Sequence, residues 1–120
     1  MVSITTNSMV DLGGNVFEVD LGRVYDDFDL ILKSYTKGTE TGISISVEKI
    51  FNSGLVAQSA FIAVDNSVWS VDFTTSQTNA LVWNFGSLYN VDKVKIYIAT
   101  DTPGLTDGTA EVEVIKNKHN

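Results

Sequence analysis

The sequence contains no cysteine, a single proline and a single histidine. Without cysteine there can be no disulfide, no thiolate nucleophile and no sulfur-ligated metal, so packing alone must hold the chain together. The histidine, His119, is the penultimate residue of a Lys116-Asn117-Lys118-His119-Asn120 tail, where a general base cannot be kept in register. No Gly-x-Ser-x-Gly elbow occurs, so the chain is expected not to be an enzyme. Positive charge is also scarce: 8 Lys and Arg face 15 Asp and Glu, a net charge of −7. A surface of that sign repels phosphate backbones and anionic lipid, which argues against nucleic acid and membranes as partners. The longest apolar run, Ala60 to Val64, is too short to span a bilayer. Met1 to Thr6 carry no basic residue, so no signal peptide is expected, and no Asn-x-Ser/Thr sequon is present.

What the chain does have is β-branched side chains: 15 Val, 9 Ile and 12 Thr among 120 residues. That balance favours strands over helices. Period-two alternation appears eight times. Phe17-Val19-Leu21, Phe28-Leu30-Leu32, Ile43-Ile45-Val47, Trp69-Val71-Phe73, Leu81-Trp83-Phe85, Val94-Ile96-Ile98 and Ala110-Val112-Val114 each alternate with polar or smaller residues. A further run, Leu55 to Val64, is apolar on both faces and reads as a central strand. Turn formers punctuate these runs, among them Gly13-Gly14, Asn52-Ser53-Gly54 and Thr102-Pro103-Gly104. The last two strands read as a terminal hairpin. The expected fold is all-β, an antiparallel β-sandwich or jelly roll of about eight strands. Its core is predicted to contain Leu30, Leu32, Ile45, Val47, Trp69, Val71, Trp83, Phe85, Ile96 and Val112. Residues 15–116 form the single domain, preceded by an N-terminal arm, 1–14, and followed by a flexible tail, 117–120.

Two clusters invite a chemical reading. Tyr25-Asp26-Asp27-Phe28-Asp29 is the densest acidic segment, and hard oxygen ligands of this kind suit calcium. The Asp-x-Asp-x-Asp-Gly spacing is absent, so ordinary surface carboxylates are the better reading and neither metal nor cofactor is expected. Aromatic side chains could instead form a sugar platform. Trp69 and Trp83, however, are in phase with the apolar rows and read as core. Tyr35, Tyr89 and Tyr97 are read as exposed, because Tyr35 shares a face with Lys33, and Tyr97 with Lys93 and Lys95. Exposed tyrosines suit protein interfaces as well as sugars. In the arm, Ile4 and Val10 have no evident place in the monomer's own sandwich. The arm is expected to pair with a sheet edge or with a neighbouring subunit, and Ser3 to Thr6 could add to a sheet edge of another subunit.

The stretch from Val16 to Ser46, with Phe-Glu-Val-Asp-Leu-Gly, Tyr-Asp-Asp-Phe-Asp-Leu-Ile-Leu-Lys and Thr-Gly-Ile-Ser-Ile-Ser-Val-Glu, resembles small β-sandwich virion proteins of tailed bacteriophages. Lys93 to Thr100 followed by Gly108 to Val114 is similar to the closing hairpin of many head and tail accessory proteins. The resemblance implies a non-enzymatic structural protein, a capsid decoration or head/tail accessory component made in the bacterial host cytoplasm and carried on the virion. Its partners would be viral capsid or tail proteins and further copies of itself, with Ile4, Val10, Tyr35, Tyr89 and Tyr97 as the candidate interface residues. A carbohydrate-binding or adhesion module is the alternative.

Overall fold

The computed structural model describes residues 1–40, 42–64, 80–100 and 107–119 of the chain. Among these there are nine strands and no helix: β1 (Ser3–Thr5), β2 (Val10–Asp11), β3 (Val16–Asp20), β4 (Asp27–Thr36), β5 (Ile43–Phe51), β6 (Val56–Val64), β7 (Leu81–Phe85), β8 (Val91–Thr100) and β9 (Thr109–Asn117). They form a four-stranded sheet in the order β1-β9-β4-β7 and a five-stranded sheet in the order β2-β3-β8-β5-β6. Every pairing is antiparallel except that of β1 with β9. The two sheets pack face to face as a β-sandwich.

Alternation explains why these segments become strands and which side of each is buried. Phe28, Leu30, Leu32, Val112 and Val114 point inward from the four-stranded sheet, against Ile43, Ile45, Val47, Val94, Ile96 and Ile98 from the other; all are buried. Each such side chain withdrawn from water contributes about 1.5–3 kcal/mol. Leu30, Leu32, Ile45, Val47, Ile96 and Val112 thus occupy the core as expected. Trp83 and Phe85 also face inward, and Phe85 stacks on Phe28 with ring centroids 5.1 Å apart. Both are only half-buried, since β7 has a single partner strand, β4, among the described residues. Trp69 and Val71, with the strand expected around them, lie outside the described residues.

Three expectations are corrected. The last two strands do not form a hairpin: β8 pairs with β3 and β5, whereas β9 pairs with β1 and β4 in the opposite sheet. The run from 55 to 64 forms β6, which pairs with β5; the strand expected to follow it lies outside the described residues. Phe61 and Ala63 of this run point outward and form part of an apolar face described below. The first 14 residues do have a place in the monomer's own sandwich: Ser3–Thr5 lie beside Thr109–Glu111 of the same chain, and Val10–Asp11 beside Phe17–Glu18. Alternation buries Val2 and half-buries Ile4 under the sheet edge, the place that could not be seen from the arm's own composition. Residues 117–119 are held as well, since β9 runs to Asn117 and His119 is bonded to the acidic segment.

Candidate functional site

The five residues singled out from the sequence separate in space. Tyr35 is buried, because a β-bulge in β4 between Leu32 and Ser34 makes Lys33 the extra residue and turns Tyr35 inward. One inserted residue inverts the face of everything beyond it. Ile4 packs against the core edge. Val10 and Tyr97 do share a surface, the outward face of the five-stranded sheet. Tyr89 stands at one end of the sandwich, 86% exposed.

On the outward sheet face, Phe61 of β6 lies opposite Ser46 of β5, Ser46 opposite Tyr97 of β8, and Tyr97 opposite Val16 of β3. The neighbouring row is Ala63, Ser44 and Ala99. These two rows carry no charge, and their small residues leave the Phe61 ring standing 63% exposed. Charge begins at the next row, where Gln58, Glu48, Lys95, Glu18 and Val10 line up, and continues with Lys93 and Asp20. Lys93 and Glu18 are 3.4 Å apart. The Tyr97 hydroxyl donates to Glu48 Oε2 at 3.0 Å, bridging the two halves. Partial burial, reinforced by the Glu48 carboxylate, pushes the Tyr97 phenol above its ordinary value. Phe61 was not among the sequence candidates; its signal was the absence of a polar face in residues 60–64.

Glu40, also missed from sequence, is a fully buried carboxylate. Its Oε1 accepts from the Tyr35 hydroxyl at 2.6 Å and from the Gly38 and Gly108 amides at 3.0 Å each. Burial pushes the Glu40 carboxyl up, but the Tyr35 hydroxyl and the amides of Gly38, Glu40 and Gly108 outweigh it and hold it below the usual carboxylate value. Oε2 is buried and has no hydrogen-bond partner among the described residues. This cluster ties the β4–β5 connection to the start of β9, where the Gly108 carbonyl accepts from the Ser3 amide at 3.0 Å.

The acidic segment lies on the outward face of the other sheet. Asn84 Nδ2 donates to Asp29 at 2.8 Å and Asp27 at 3.2 Å, and Asn117 Nδ2 to Asp27 at 2.7 Å. The His119 amide donates to Asp26 at 2.6 Å, and its imidazole pairs with Asp27. The Asn117 amide, aided by His119 and Asn84, holds the Asp27 carboxyl below its ordinary value against the opposing effect of burial. The carboxylates are thus occupied by amides and imidazole. Among the described residues no group of three or more His, Asp or Glu is arranged to hold a metal ion.

At the end of the sandwich where Tyr89 stands, two chain crossovers between the sheets face each other. One follows β3 and the other follows β7. Residues 23–26 of the first and 87–90 of the second line an open cleft of about 350 Å³. Arg23, Ser87 and Asn90 all have positive φ (62°, 58° and 63°). The loops are nonetheless well anchored. Leu88 is buried, the Asn90 carbonyl accepts from the Asn52 amide at 2.8 Å, and Lys49 Nζ donates to the Gly86 carbonyl at 3.0 Å. Opposite, Arg23 Nε lies 2.9 Å from Asp92 and Lys116 sits 5.0 Å over the Tyr25 ring.

Comparison with known proteins finds no matching family model, no matching curated protein and no matching solved structure.

Proposed function

We propose that the chain is a non-enzymatic structural component of a tailed-phage particle, a capsid decoration or head/tail accessory protein that attaches to capsid or tail subunits through the uncharged half of its five-stranded sheet. The observation that carries this reading is the Phe61-Ser46-Tyr97-Val16 row. An exposed Phe61 and a half-buried Tyr97 set among serines and alanines, with charge displaced to the adjoining rows, have the make-up of an interface core and polar rim. β6, which pairs only with β5 among the described residues, carries no lysine, proline or charge; of the usual devices against further pairing it has only a β-bulge, at Ser59. The phage context rests on the resemblance of residues 16–46 and of the chain's end to virion accessory proteins, and it agrees with the acidic, cysteine-free composition.

The test is co-sedimentation of the purified chain with separated heads and tails of the phage that encodes it. Saturable attachment to one of the two is expected. Absence of attachment to both, under conditions where the chain remains folded, contradicts the reading.

A further inference from the structure

We infer that the cleft between the two crossover loops is a carbohydrate-binding site that takes a single neutral pyranose, with Tyr89 as its stacking platform. The inference stands apart from the sheet face and from the phage reading. Its first support is the cost the chain carries at this one place. Of the four non-glycine residues with positive φ among the described residues, three line the cleft, and the fourth, Asn15, is elsewhere. A Cβ lies too close to the following carbonyl oxygen in that conformation, which Asn90 tolerates better than Arg23 and Ser87, and such residues persist where the surrounding structure holds them, commonly at ligand clamps. Here the surroundings do hold them: Leu88 is driven into the core while its neighbour Tyr89 is turned out to 86% exposure. A solvent-presented ring on a well-anchored turn loses little freedom when something stacks on it.

The chemistry of the cleft selects the ligand. Tyr89 offers a flat apolar face that matches the C–H face of a pyranose. Around it stand groups of both hydrogen-bonding senses: the Arg23 guanidinium donates, the Asp26 carboxylate accepts, and the Asn90 amide and Ser87 hydroxyl do both. Vicinal sugar hydroxyls, each donor and acceptor, fit that mixture. An anionic ligand does not, since Asp92 already neutralises Arg23 at 2.9 Å and Asp26 is negative. A volume of about 350 Å³ is at the lower end of small-molecule sites and suits one sugar ring.

The probes are the methyl glycosides of glucose, galactose, mannose, rhamnose and N-acetylglucosamine, titrated against the isotopically labelled full chain and followed by amide NMR. At least one is expected to shift resonances of residues 23–26 and 87–90 while leaving those of 44–46 and 97–99 in place. Tyr89→Ala should weaken that binding by roughly tenfold or more, the loss expected for a stacking aromatic, with melting unchanged because the ring is exposed. Arg23→Gly, which relieves a positive φ, should also weaken binding without lowering the melting temperature. Phe61→Lys, on the sheet face, should bind sugar as the unsubstituted chain does, so failure of the sheet-face reading and failure of this one are told apart. No shift with any of the five glycosides overturns the inference. So do shifts confined to other residues, or a Tyr89→Ala variant that binds sugar unchanged but no longer attaches to phage particles.

Discussion

At Glu40 one carboxylate oxygen gathers three donors from three parts of the chain, Tyr35, Gly38 and Gly108. Glu40→Ala leaves those donors unpaired in a buried site, at about 1–3 kcal/mol for each group that water cannot reach. The variant is expected to melt far below the unsubstituted chain, measured by thermal or urea unfolding. Gly108→Ala should be comparably severe, because its Cβ would lie 2.1 Å from the Thr36 carbonyl oxygen and 2.5 Å from Glu40 Oε1; a change within about 0.5 kcal/mol would show that the loop gives way freely. Because Glu40 binds its proton less readily in the folded chain than in the unfolded one, the stability it supplies is complete above the ordinary glutamate value and lost as pH falls through the lowered folded value. Glu40→Gln should therefore flatten the acid limb of the stability–pH curve. None of this was readable from sequence. Glu40 sits among threonines with no apolar pattern around it, and Tyr35 was assigned outward because strict alternation from Lys33 cannot reveal the bulge that turns it inward.

Strand assignment was far easier to read than strand placement. Seven of the predicted strands correspond to β3 through β9, because inward Phe, Leu, Ile and Val recur at period two within each segment. Their neighbours depend on where the connections cross. Nothing in the alternation of 93–98 or 110–114 says that β8 and β9 belong to different sheets. In β1 the alternation of Val2 and Ile4 was visible, but its recipient, the Thr109–Glu111 edge, is more than a hundred residues away in sequence. Removing residues 1–6 should lower stability by about 2–4 kcal/mol, the contribution of a buried valine and a half-buried isoleucine. The β-type circular dichroism spectrum should survive, since no other strand is lost. If unfolding is unchanged, β1 is a loosely attached strand available for pairing with another subunit.

Taken whole, the sandwich presents two dissimilar outer faces and one furnished end. The outward face of the four-stranded sheet carries the Asp27 and Asp29 carboxylates with their amide and imidazole partners. Half of the other face is uncharged and aromatic. The end between the crossovers holds the cleft. In a chain of net charge −7, attachment to another protein surface is expected to proceed through the part of the surface that keeps charge away. The cleft could not be foreseen because it is made by two loops about sixty residues apart, each of unremarkable composition. The sheet-face row was half visible, in the two-sided apolarity of 60–64 and in Tyr97. The most direct test of the account is co-sedimentation with purified phage heads and tails, comparing the unsubstituted chain with Phe61→Lys. The Phe61 ring is 63% exposed, so the substitution should leave melting within the small range of surface changes. The account predicts that attachment is lost in Phe61→Lys while the fold is kept. Attachment of the variant at the affinity of the unsubstituted chain would contradict it.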